Sequence, residues 1–288
     1  SGDGIRVAAI DGEVLIGGTS TTGNSIQDVS GDGIQVYYVT GQNGTVAGGV
    51  RVGFNRIRSV GANGADADGD GIQISKTGRY GGATVPNTGD VNVFNNIVND
   101  VQADTLDRDD GFTAGDGIRI VQVDGHVTAS ANLVGAGSDA TVGGITNDGI
   151  QIHTVTRAVL VTANEVGTGA TIGTDLRDAD GISVESTGTL SGTLGVSGEG
   201  DVVITSNTVA NVAGDGLADR DGAAVPVTGL ASSLTAGDGI RVGFADGTVA
   251  VGGSSSTGNT VTHVGHDGTQ VRAATGNGVA AGGVAVSV

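Results

Sequence analysis

The chain has 288 residues, a formal net charge of −18 and no cysteine. Its apolar residues are mostly β-branched, with 41 Val and 18 Ile against 10 Leu, which favours strands and excludes a disordered or mainly helical chain. The negative charge disfavours nucleic acid and anionic membranes as partners. No run of 18 apolar residues predicts a membrane span, and the absence of cysteine excludes disulfides and thiolate chemistry.

The chain opens with a phrase, Asp-Gly-Ile-x-Val/Ile, that recurs along its whole length. In the first unit the alternation of apolar residues predicts strands over Ile5–Ile10, Glu13–Ile16 and Ser25–Val29. Later units begin at Asp32, Asp70, Asp116, Asp148, Asp180 and Asp238, with a degenerate copy at Asp267. Equal strands separated by unequal turns are typical of a solenoid. We therefore predict an all-β fold, a parallel β-helix of about seven to eight coils with three strands per coil and variable loops.

A second phrase, in which Val precedes an Asn and a further apolar run, lies between successive copies of the first. It places seven Asn residues at one equivalent position: Asn24, Asn55, Asn96, Asn132, Asn164, Asn207 and Asn259. We predict that they form an internal ladder of side-chain amides, hydrogen-bonded from coil to coil. The Asp of the first phrase is expected to accept hydrogen bonds from N–H groups of its own turn.

A longer similarity overlies the coils, because residues 3–52 resemble residues 238–287 at an offset of 235. We expect one β-solenoid over residues 1–288, and no polar cap is visible at either end. Uncapped coils expose strand edges. We therefore expect either a segment of a longer chain or copies that stack head to tail.

The acidic loops are the candidate metal ligands. The run Asp66-Ala-Asp68-Gly-Asp70-Gly resembles the start of a calcium loop, although Thr77 stands where an EF-hand has Glu. The candidate ligands are Asp66, Asp68, Asp70, Asp107, Asp109, Asp110, Asp175, Asp178, Asp180, Asp219 and Asp221. Calcium is the one cofactor expected, and the alternative is solvated turn carboxylates paired with neighbouring arginines.

Catalytic residues are harder to find in the sequence. Lysine is nearly absent, and only Tyr37, Tyr38 and Tyr80 are available to stack on sugars, so we assign no catalytic residue. His263 and His266 are three residues apart, and a strand would place them on opposite faces, so the sequence predicts no metal pair there.

Three phrases carry a family resemblance: GDGIRV, VNVFNNIVNDV and VVITSNTVANV. They resemble the repeats of right-handed parallel β-helix proteins, which include pectate-lyase-like enzymes, phage tailspikes and bacterial surface proteins, and the closest resemblance is to adhesin-type solenoids. The resemblance implies a right-handed coil and a structural role at the cell surface, as part of a filament, fibre or adhesin stalk assembled by end-to-end stacking. The alternative is a polysaccharide-active enzyme or a carbohydrate-binding β-helix, with a surface glycan as partner.

Overall fold

The computed structural model describes residues 2–40, 49–61, 69–78, 89–102, 115–136, 144–173, 179–188, 199–213, 237–253, 257–274 and 284–286. Within these residues the regular secondary structure is 23 strands and no α-helix. Tyr80 and nine of the eleven candidate calcium ligands lie outside the described residues.

The strands form three sheets, and within the described residues each of the first seven coils contributes one strand to each sheet in turn, while the eighth contributes to the first two sheets. The first sheet contains the Asp-Gly-Ile strands: β1 Ile5–Asp11, β4 Ile34–Thr40, β7 Ile72–Thr77, β10 Ile118–Val123, β13 Ile150–Val155, β16 Ile182–Thr187, β19 Ile240–Ala245 and β22 Thr269–Ala274. The second contains β2 Val14–Gly17, β5 Val50–Gly53, β8 Val91–Phe94, β11 Val127–Ser130, β14 Val159–Thr162, β17 Val202–Thr205, β20 Val249–Val251 and β23 Val284–Val286.

The third sheet contains the strands that follow each Asn of the second phrase. They are β3 Ser25–Val29, β6 Arg56–Val60, β9 Ile97–Val101, β12 Leu133–Val134, β15 Glu165–Val166, β18 Thr208–Val212 and β21 Thr260–Val264. All pairs in the three sheets are parallel and join each coil to the next. The predicted fold class, an all-β parallel β-helix with three strands per coil, is confirmed, and its right-handed winding stays a prediction, in line with the usual hand of parallel crossovers.

Identical residues stack on one another along the inside of the helix. In the first sheet, Ile72 pairs with Ile118 and Ile118 with Ile150, so each inward Ile packs on its equivalent one coil away. These side chains are fully buried and belong to one continuous apolar core of Val, Ile and Ala. Small β-branched residues suffice because three sheets enclose a narrow interior, which explains how the fold forms with so few aromatic residues.

Strict alternation is broken once in each first-sheet strand from β1 to β16. The fifth residue has a left-handed backbone, with φ between 54° and 58°, at Ala9, Tyr38, Lys76, Gln122, Thr154 and Ser186. This residue bends the strand, and the next residue points inward again, as fully buried Val39 and Val123 do. A left-handed non-Gly residue costs about 1–2 kcal/mol, and the stacking of this bend through successive coils keeps it in place.

Candidate functional site

The seven Asn residues of the second phrase lie in one column at the turn between the second and third sheets. Each Nδ2 donates to the Oδ1 of the next Asn, over distances of 2.8–3.0 Å, in an unbroken series from Asn24 to Asn259. The amides also satisfy buried backbone: Asn132 Nδ2 donates to the Val93 carbonyl at 3.0 Å. The column therefore secures a turn that faces away from water.

A second column is formed by the Asp residues of the Asp-Gly-Ile phrase. The Oδ1 of each Asp accepts the backbone N–H of the Asp one coil further on, from Asp3 and Asp32 through to Asp238 and Asp267. The expectation that each Asp accepts from its own turn was incomplete, since the aligned N–H belongs to the next coil. These Asp residues therefore join coils, and an isolated repeat gives no signal for that role.

Two of the candidate calcium ligands, Asp70 and Asp180, lie in this Asp column. Both are buried, and Asp70 Oδ1 accepts the N–H groups of Gly115 and Asp116, each at 2.9 Å. Their Oδ2 atoms bind arginine: Asp70 to Arg119 Nη1 at 3.3 Å, and Asp180 to Arg241 Nη1 at 3.2 Å. The other nine, Asp66, Asp68, Asp107, Asp109, Asp110, Asp175, Asp178, Asp219 and Asp221, lie outside the described residues.

A buried charged group lies on the outward side of the first sheet and was missed in the sequence. It consists of Arg119, His153, Glu185 and Arg241, each less than a tenth exposed. Glu185 binds Arg241 through Oε1, and its Oε2 lies 3.6 Å from His153 Nε2. Burial, reinforced by the positive charges of Arg119 and Arg241, lowers the pKa of His153 to about 4, so the imidazole is neutral at neutral pH.

An open pocket of about 260 Å³ lies on the same outward side, at the first three coils. It is lined by Arg6, Gln35, Tyr37, Tyr38, Gln73, Ser75 and Lys76. The Arg6 guanidinium lies 5.2 Å from the Tyr37 ring centre, and Lys76 Nζ lies 4.8 Å from that of Tyr38. The pocket thus combines two aromatic rings, two cations and two amides, a mixture suited to a hydroxylated, anionic ligand.

A third cluster of titratable groups joins the last two coils at the Asp column. His266 lies in the turn before β22 and not in a strand, so the expected separation of His263 and His266 on a strand does not describe it. Its Nδ1 lies 2.9 Å from Asp238 Oδ1 and 3.6 Å from Asp267 Oδ2. Among the described residues, this is the one group of three or more His, Cys, Asp or Glu side chains whose ligand atoms converge closely enough for a metal ion.

Comparison of the chain with protein-family models, with curated proteins and with solved structures finds no match in any of the three. In the part of the chain that the structure describes, no helix is long and apolar enough to cross a membrane. Function is therefore argued from the geometry of the coils, the pocket and the clusters alone.

Proposed function

We propose that this chain is a structural β-solenoid, a rigid segment of an extracellular filament, fibre or adhesin stalk that is lengthened by stacking further coils on its ends. The observation that carries the proposal is the pair of polar columns beside three parallel sheets: the Asn column joins the first seven coils, and the Asp column joins all eight. Such a molecule resists extension because coils separate only when many hydrogen bonds break together.

The first and last coils of the stack have the features that addition of a further coil requires. At the first coil, the inward residues Ile5, Val7 and Ile10 are only partly buried, and at the other end Val261, Val264 and Val271 are partly buried too. In the described residues, β1 and β22 each have a partner on one side only. The end coils thus offer apolar surface and unpaired backbone groups to a further coil.

The test is electron microscopy of the purified chain, with and without a calcium chelator. Eight coils at about 4.8 Å each predict an axial repeat near 38 Å if copies stack. Loss of filaments on chelation would assign a bridging role to calcium in the acidic loops, and filaments that survive would remove that role.

Gly268 gives a variant that separates stacking from folding. In every coil that has a following coil, a Cβ on the Gly of Asp-Gly-Ile would approach the next coil's Gly carbonyl within 2.4–2.7 Å, as Gly117 would approach Gly149 O. At Gly268 a Cβ meets nothing within 4 Å. Gly268→Ala should therefore leave the monomer's melting temperature unchanged and abolish filaments. Monomers in the wild-type sample would refute stacking between copies.

The pocket at the first three coils favours a second function, binding of an acidic glycan. Tyr38 is 41% exposed and offers its ring beside the Lys76 ammonium. Titration with uronate-containing oligosaccharides should show binding that Tyr38→Ala weakens at least about tenfold, since an aromatic platform with a nearby cation contributes over 1 kcal/mol. Leu160→Ala removes another exposed apolar side chain and is the matched control. Equal affinity of the two variants for the oligosaccharide would show that the pocket is not its binding site.

A further inference from the structure

The cluster of Asp238, His266 and Asp267 has the composition and the spacing of a transition-metal site. Zinc is held by imidazole nitrogen and carboxylate oxygen at about 2.0–2.2 Å, which places two ligand atoms about 3.3 Å apart in a tetrahedral site. The observed separations from His266 Nδ1 are 2.9 Å to Asp238 Oδ1 and 3.6 Å to Asp267 Oδ2. The three atoms need only small shifts to surround one ion.

The state of Asp238 is the second observation. This carboxylate is fully buried, yet its Oδ2 has no hydrogen-bond partner in the described part of the chain. A buried carboxylate is costly unless a cation compensates its charge, and an ion held at Oδ1, the oxygen that faces His266, would do so.

The same turn three coils earlier shows what the arrangement looks like without a metal ligand. There Asn147 Nδ2 donates to Asp116 Oδ1 at 2.8 Å, and the N–H of Asp148 donates to the same oxygen at 2.9 Å. An amide is therefore sufficient for the hydrogen bond that His266 makes to Asp238. What the imidazole adds is a second tautomer: when the proton moves to Nε2, Nδ1 offers a lone pair to a metal, which an amide nitrogen cannot do.

We propose that Asp238, His266 and Asp267 form a site for a zinc-class divalent ion that clamps the last coil of the solenoid onto the coil before it. Asp238 belongs to the seventh coil, and His266 and Asp267 belong to the eighth. His266 binds through Nδ1, with its proton on Nε2, and water completes the coordination. The site is distinct from the acidic calcium loops and does not depend on the proposed filament.

The clamp has a defined physical effect. A metal that binds the folded state and not the unfolded one stabilises the coils that supply its ligands. Since the last coil has a neighbour on one side only within the described residues, its backbone amides exchange readily without the ion. Zinc should therefore slow hydrogen exchange in β22, with little change in β10 and β13.

The experiment uses the untagged 288-residue chain, freed of metal and titrated with zinc chloride by calorimetry at neutral pH. His266→Asn recreates the Asn147 arrangement, so it keeps the hydrogen bond and the fold while removing the nitrogen ligand. His126→Asn, which changes an exposed histidine elsewhere, is the matched control. We expect one strong site in the wild type and in His126→Asn, and at least about tenfold weaker binding in His266→Asn and in Asp267→Asn.

The variants also distinguish a specific zinc site from weak attraction of zinc to the acidic surface of the protein. His266→Asn has the same formal charge as the wild type, so zinc held by charge alone would bind both proteins equally. That result, or a wild type that binds no zinc, would overturn the site. Zinc-dependent protection of β22 that persists in His266→Asn would also overturn it.

Discussion

At the scale of single residues, the Asn column is the feature most exposed to mutation. Asn132→Ala removes the donor to the Val93 carbonyl and the acceptor for Asn96, and both groups stay buried. Because an unsatisfied buried polar group costs about 1–3 kcal/mol, the variant should melt at a clearly lower temperature. Asn92→Ala, on the outward side of β8, is the control and should melt close to the wild type. Equal melting of the two variants would contradict a stabilising column.

The buried His153 gives a pH dependence with a definite sign. Its pKa is about 4 in the folded protein and 6.5 in the unfolded chain, so between these values only the unfolded chain binds the proton. The contribution to stability is therefore complete above pH 6.5 and is lost as the pH falls towards 4. It amounts to about 3 kcal/mol over the whole window.

Melting curves between pH 4 and pH 6.5 test whether His153 causes this pH dependence of stability. His153→Gln should flatten the pH dependence relative to the wild type, because it removes the titrating group while keeping a polar side chain beside Glu185. His126→Gln should leave the profile as it was, since that side chain is exposed. A wild-type slope that survives in His153→Gln would mean that another group carries it.

At the scale of the strand, the Gly of Asp-Gly-Ile sets how closely the first sheet approaches its neighbours. A Cβ on Gly117 would lie 2.2 Å from Val134 Cγ1 and 2.6 Å from the Gly149 carbonyl oxygen. Gly117→Ala should therefore destabilise the protein by about 1–3 kcal/mol, the usual cost of overpacking. Gly268→Ala makes the same change where space is open, and chemical denaturation of both variants tests the comparison. Similar midpoints would show that the strand shifts at no cost.

The strands were also the elements best predicted from the sequence. The first unit was predicted over Ile5–Ile10, Glu13–Ile16 and Ser25–Val29, and the strands observed are Ile5–Asp11, Val14–Gly17 and Ser25–Val29. Alternating Val and Ile give a direct signal for a strand, and the repeated phrases fix its register. The left-handed bend was missed, because the residues that adopt it, such as Lys76 and Gln122, share no chemistry.

At the scale of the whole molecule, the side-chain contacts on the outward side of the first sheet could not be predicted from the sequence. Arg119, His153, Glu185 and Arg241 come from four different coils. The position of the two arginines holds Arg or Gln in seven of the eight coils, but the position of His153 and Glu185 carries no repeated residue type. These side chains lie close together because the coils stack, and no local sequence pattern predicts that they are buried. The cluster at Asp238 and His266 is similar, since 28 residues separate side chains that the fold brings into contact.

The Asn column also gives the molecule an electrical direction. In each link of the column, one N–H of the amide points towards the following coil and the oxygen points towards the preceding one, while Nδ2 also donates to a backbone carbonyl of the preceding coil. Dipoles aligned in this way add along the axis, as peptide dipoles do in an α-helix. The first coil should therefore carry partial negative charge at Asn24 and the seventh partial positive charge at Asn259, so ions in solution meet two electrostatically different ends.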